Sequence, residues 1–293
     1  MRLGNVAWGW MRDPMDMPTD ELLFDIASQI AEIGFECIDL IGTPESMKEY
    51  YTPKTIEKLR KHIEGLGLEI GTFVSSTPDI NHPDPAVRKQ VLEDFARGVD
   101  ITAALGCSHI NITAPRPAGS TQTPVTSGSA DKVSYIMAEG YDFKKDWRTY
   151  VDSLKYCADL AGSKGLKLSL ECFAGTICST PHAWLRLFED VGAPNLGIQL
   201  DTSHLVTQRF DVVFAIYMTG DRIFNVHAKD NDGMTRGNLP PGCGIIDYPL
   251  VIDALRHVGY DGIISVEVEF THNPRRYNQQ AKEHLEKVLK GLY

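Results

Sequence analysis

Four short strand-like runs in the second half of the chain each end in a residue that a purely structural strand does not need. LKLSLE ends at Glu171, LGIQLD at Asp201, IFNVH at His227 and GIISVE at Glu267. The spacings are 30, 26 and 40 residues, so each residue belongs to a different unit of the chain. Carboxylates gathered in an interior cost several kcal/mol unless they are solvated, paired or bound to metal. Three acids and an imidazole around one point suit one divalent metal ion, Mn2+ first, with Mg2+, Co2+ or Zn2+ as alternatives. The competing possibility is that each acid caps a helix or has its own Lys or Arg; four on successive strand ends weigh against it. Glu269 shares a sheet face with Glu267 by period two and competes with it as the last ligand.

The elements that must position these residues follow one alternation from end to end. Strand-like runs over 4–9, 36–41, 68–74, 108–113, 166–172, 196–201, 223–228 and 262–267 are separated by amphipathic helical stretches. Thr19 ahead of Asp20 and Glu21, and the pairs Thr52-Pro53, Asp84-Pro85 and Thr180-Pro181, mark helix starts. Leu23, Ile26, Ala27, Ile30 and Ile33 recur at helical spacing before Gly34, and Gly67, Gly106, Gly165 and Gly259 sit similarly ahead of strands. Eight strand–helix units in 293 residues predict a single (β/α)8 TIM barrel occupying 1–293 as one α/β domain. No G-x-G-x-x-G follows the first strand and no G-x-x-x-x-G-K-[ST] occurs, which disfavours a doubly wound nucleotide-binding sheet. A Ser, Thr, Gly and Pro-rich loop around 115–143 follows the fourth strand, on the side where a barrel keeps its active site.

Composition narrows the partners. The formal charge of −10, without a basic cluster, excludes a surface built to bind nucleic acid or anionic membranes. No apolar run approaches the ~18 residues of a membrane span. The opening MRLGNVAWGW has no signal-peptide pattern, so the expected location is cytoplasmic. The six cysteines lack a C-x-x-C pair and are expected to be reduced.

Further residues are candidates for substrate contact. Trp8 and Trp10 flank the end of the first strand, where a ring could stack on a sugar face or simply pack the rim. His109 and Asn111 share a face of the fourth strand, with a barrel-interior role as the alternative to substrate contact. Lys229 and Asp230 are expected to pair with each other or with neighbours. His62, His82, His182, His257 and His272 are expected on ordinary surfaces.

The fragments L-S-L-E (168–171), L-D-T-S-H (200–204), N-V-H-A-K-D (225–230), G-C-G-I-I-D-Y (242–248) and G-Y-D-G-I-I-S-V-E (259–267) occur in one order along the chain. Together they resemble the sugar phosphate isomerase/epimerase family on the xylose-isomerase-like TIM barrel, which includes the ketose 3-epimerases. By that resemblance Glu171, Asp201, His227 and Glu267 are the metal ligands and His204 is a substrate-binding histidine. Arg236 looks like the arginine of the loop after the seventh strand. The resemblance implies a sugar or keto-sugar substrate and a homo-oligomer, dimer or tetramer. It also implies proton abstraction next to a carbonyl through a metal-stabilised enediolate, with Glu171 and Glu267 as general base and acid.

Return of the proton to the same carbon gives epimerisation, and return to the neighbouring carbon gives aldose–ketose isomerisation. Loss of a β-hydroxyl would make the chain a lyase, such as a keto-inositol dehydratase or a 3-keto-glycoside cleaving enzyme. The ketose epimerases carry a second Glu a few residues after the fifth-strand ligand, whereas this chain reads Cys172-Phe173-Ala174-Gly175-Thr176. An endonuclease-like phosphodiesterase would share D-T-x-H at Asp201–His204, but it needs another histidine between His227 and Tyr248, where none occurs. A non-catalytic sugar binder would have little use for two glutamates facing one carbon.

Overall fold

A computed structural model describes residues 1–11, 17–122, 134–234, 238–268 and 271–292. Its strands are β1 (Arg2–Val6), β2 (Cys37–Gly42), β3 (Glu69–Ser75), β4 (His109–Thr113), β5 (Thr121–Gln122), β6 (Tyr135–Ile136), β7 (Lys167–Glu171), β8 (Leu196–Asp201), β9 (Ile223–Ala228) and β10 (Ile263–Val266). Eight of them close in the order β1-β10-β9-β8-β7-β4-β3-β2. All neighbouring pairs in that ring are parallel. The expected (β/α)8 barrel is the fold. β5 and β6 form a separate antiparallel pair within the loop after β4; residues 123–133 of that loop lie outside the described residues.

Local chemistry starts and stops the helices where the sequence marks it. Thr19 accepts the Leu22 N–H, Thr52 that of Thr55, Asp84 that of Ala86 and Thr180 that of Ala183, with Pro opening the last three helices. Gly34 and Gly106 close their helices at φ 92 and 82, backbone that side chains resist. The buried faces carry the apolar stripe: Leu23, Ile26, Ala27 and Ile30 in the first helix, and Trp184, Leu187, Phe188 and Val191 in the helix Pro181–Val191. Two short helices, Pro44–Glu49 and Thr202–Thr207, add to the eightfold alternation. Among the described residues no helix is long and apolar enough to cross a membrane.

The barrel interior is layered. Period two carries the inward face from Glu171, Asp201, His227 and Glu267 back to Ser169, Gln199, Asn225 and Ser265, all buried. The Asn225 amide reaches Asp39, Thr72 and Gln199, from β2, β3 and β8, so these side chains meet inside the ring. Asn111 donates to Ser169 in the same layer. A barrel core is ordinarily filled by branched apolar residues; here a polar floor lies under the mouth. His109 starts β4 while Thr113 at its end pairs with Glu171, which sets His109 about 13 Å back along the strand from its rim end. It lies against Phe224, with Ser108 Oγ 2.7 Å from its Nδ1. His109 thus occupies the barrel interior, the alternative to substrate contact: an inward face in a strand does not fix which end of the barrel the residue occupies.

The loop after β9 is held by one carboxylate. Asp230, fully buried, accepts backbone N–H groups from Asn231, Gly242, Gly244 and Ile246 at 2.9–3.0 Å. Gly242 has φ 87, and a Cβ on Gly244 would lie 2.4 Å from Asp230 Oδ1, so both glycines of G-C-G are required by the close approach. Asp230 and Lys229 therefore pair with neighbours and not with each other.

Asp230→Ala removes the acceptor of one buried and three part-buried donors and should cost about 1–3 kcal/mol in urea unfolding; wild-type stability would contradict the clamp. Burial, aided by Lys167, lowers the His109 pKa to about 4. The unfolded chain binds this proton below about 6.5 and the native protein only near 4, so stability present above 6.5 is lost as pH falls through that window. His109→Gln should remove on the order of 2 kcal/mol of that loss, read as a shallower dependence of the urea midpoint on pH between 7 and 4.

Candidate metal centre

Strand register delivers the four rim residues to one place. Thr113 pairs with Glu171, Glu171 with Gln199 and Asp201 with His227. Glu267 follows β10 directly, its N–H donating to the Ala228 carbonyl at 3.1 Å. Asp201 lies two residues beyond the partner of Glu171, the stagger that barrel closure imposes. One ligand atom from each of Glu171, Asp201, His227 and Glu267 falls within 4.8 Å of the others.

All four are buried, and each of the three carboxylates also has a contact from outside the cluster. Asp201 Oδ1 accepts the His204 N–H at 2.7 Å, so Asp201 also caps the helix Thr202–Thr207. Glu267 Oε1 accepts the Trp8 indole N–H at 3.2 Å, and the Trp8 ring lies 5.6 Å from that of His227. His204 Nε2 is 3.5 Å from Glu171 Oε1 and 3.8 Å from Asp201 Oδ2. Gln199 Nε2 lies 3.4 Å from Glu171 Oε2 and 3.2 Å from His227 Nδ1. Trp10 turns away, donating to Asn5.

Lys229, also buried, places its ammonium 3.0 Å from Asp201 Oδ2 and 3.2 Å from Glu267 Oε2. Sequence reasoning did not assign it to this cluster. Gln199 was missed as well; the signal was a polar residue two places before each ligand on the inward face.

The electrostatics favour charged carboxylates. Burial raises the Glu267 pKa, but Lys229 and His227 outweigh it and hold the group well below the usual carboxylate range. Glu171 is lowered too: burial and Glu267 act upward, and the His204 hydrogen bond with the His227 charge acts downward more strongly. For His227 burial acts downward, but Glu267 and Asp39 raise its pKa well above the ordinary value.

The donor set fits a divalent cation. Asp201 Oδ2 and Glu267 Oε2 are buried without a well-directed hydrogen bond, even with the ammonium nearby. His227 presents Nδ1 to Glu267 Oε2 at 2.8 Å. Three carboxylates and one imidazole match a hard-to-borderline ion. Arg236 and Glu269 lie outside the described residues.

Proteins to which this chain is similar include an inosose dehydratase and ketose 3-epimerases. An inosose dehydratase of Geobacillus thermodenitrificans is 25% identical, covering 97% of this chain and 96% of its own. A ketose 3-epimerase of Arthrobacter globiformis is 26% identical over 80% of this chain and 74% of its own. A crystal structure of D-psicose 3-epimerase in the presence of D-fructose superposes with TM-score 0.79 at 19% identity, covering 99% of both chains. The family model described as xylose isomerase-like TIM barrel matches residues 27–288, and the chain belongs to that family.

Proposed function

We propose that the chain is a divalent-metal-dependent isomerase or epimerase of a sugar or sugar derivative, working by proton abstraction next to a carbonyl. The observation that carries this is the pair Glu171 and Glu267 at the two ends of a four-strand arc, both held ionised around one cluster. Glu171, Asp201, His227 and Glu267 would hold the ion, Mn2+ by preference. When bound, it supplies Lewis acidity to oxygens beside the reacting carbon.

The protein's own groups do the rest. One glutamate takes the proton from the carbon and the other returns one. His204, beside Glu171 and Asp201, would donate to a substrate oxygen. Trp8 and Phe173, which packs 5.6 Å from the His204 ring, give apolar surface for a sugar face. Arg236 would contact substrate from the loop after β9, and the expected homo-oligomer accompanies the same assignment.

A second function, dehydration of a keto-inositol, is favoured by one observation. Inosose dehydratases align along 97–99% of this chain, and the ketose and L-ribulose 3-epimerases along 80%. It would use the same base, followed by departure of a β-hydroxyl as water.

Both are tested by offering Mn2+-loaded protein a panel of keto-sugars and keto-inositols in D2O. Deuterium next to the carbonyl, with no loss of water, supports epimerisation or isomerisation. Loss of one water supports the dehydratase. Neither outcome on any substrate, with metal bound, would overturn the assignment. Glu171→Gln and Glu267→Gln should each slow exchange roughly 100- to 10,000-fold. Chelation should abolish it and added Mn2+ restore it; full turnover after exhaustive chelation would refute metal dependence.

A further inference from the structure

Beneath the cluster, a fifth acidic or imidazole side chain faces the ring of His227 from the opposite side. Asp39 on β2 is fully buried. Its Oδ1 accepts the Thr72 N–H at 2.8 Å, and its Oδ2 takes the Asn225 amide at 3.4 Å. The same Oδ2 lies 3.5 Å from His227 Nε2. A carboxylate at this depth is costly unless its charge is matched and its lone pairs are used. The chain also makes room for it: a Cβ on Gly71 would come 2.6 Å from Asp39 Oδ1.

The two nitrogens of His227 thus have different jobs. Nδ1 looks up into the carboxylates, 2.8 Å from Glu267 Oε2, and Nε2 looks down toward Asp39. Binding a metal requires the neutral imidazole, which carries one N–H. With the hydrogen on Nε2 it faces the Asp39 carboxylate, 3.5 Å away and outside well-directed hydrogen-bond geometry, and leaves the Nδ1 lone pair at the cluster. The other tautomer would set a lone pair against a buried carboxylate and an N–H where a cation should sit.

We propose that Asp39 is a positioning residue that sets the ring orientation of His227 and, once the imidazole is neutral, its tautomer, so that Nδ1 is the nitrogen left to a metal. The proposal rests on the metal assignment above. Asp39 touches neither substrate nor metal; it acts through His227, from a strand on the far side of the barrel. Thr72 and Asn225 in turn hold Asp39, so the polar floor sets the alignment of the rim.

The test measures Mn2+ affinity by calorimetry for wild type, Asp39→Leu and the isosteric Asp39→Asn, with far-UV circular dichroism and thermal unfolding of each metal-free protein as the fold check. Outer carboxylates of this kind change metal affinity about 10- to 100-fold, and Asp39→Leu should lose that much. Asp39→Asn, which keeps a carbonyl acceptor, should lose less. In Zn2+-loaded protein, 15N–1H NMR should show His227 with an exchange-protected Nε2–H and the metal on Nδ1, and the protection should vanish in Asp39→Leu. If Asp39→Leu does not fold, Asp39→Asn carries both readouts. Wild-type affinity in folded variants, or metal on Nε2, would overturn the role of Asp39 while leaving the metal centre standing. Failure of wild type to bind any divalent ion would overturn both.

Discussion

The structure is organised around the repulsion among three carboxylates held at one rim. Glu171, Asp201 and Glu267 lie buried within 4.8 Å of each other and of His227. Like charges at that range cannot be left uncompensated in an interior. The protein supplies compensation from several directions: the Lys229 ammonium on Asp201 and Glu267, the helix-start N–H of His204 on Asp201, the Trp8 indole on Glu267 and the imidazole of His204 on Glu171. What these contacts leave exposed to the centre is a set of oxygens and one ring nitrogen suited to a cation.

That requirement reaches down into the barrel. An apolar layer under the rim would leave the inner faces of the ligands without partners. Gln199 instead spans Glu171 and His227, and Asn225, Thr72 and Asp39 form a hydrogen-bonded group below them. The floor is therefore part of the site. Stability of the fold then rests chiefly on the layer between strands and helices, where Ile, Leu, Val and aromatic side chains are buried.

The rim is completed by loops fixed through backbone groups. Asp230 gathers four N–H donors, and Asn231 ties the same loop to Ser203 and Thr207. The residue next to the clamp is Lys229, so the segment that shapes the mouth and the cation that balances the ligands are placed by the same strand end. A rigid attachment there keeps the ammonium on Asp201 and Glu267.

Local interactions were enough for the sequence to determine the fold and the four residues that meet at the rim. Caps such as Thr19 and Thr180 act over three residues, apolar periodicity over a few turns, and eight strand–helix units close in only one common way. An acid or histidine at the end of successive strands must then converge. Tertiary structure alone decided which residues meet across the ring. His109 and Asn225 both face inward, yet one sits at the floor's lower edge and the other beneath the ligands, because register and stagger set depth. The pairing of Lys229 with Asp201, 28 residues away, and of Asp39 with His227, 188 residues away, depends on closure of the barrel. Those contacts join strands that no local signal connects, and closure is a property of all eight strands together.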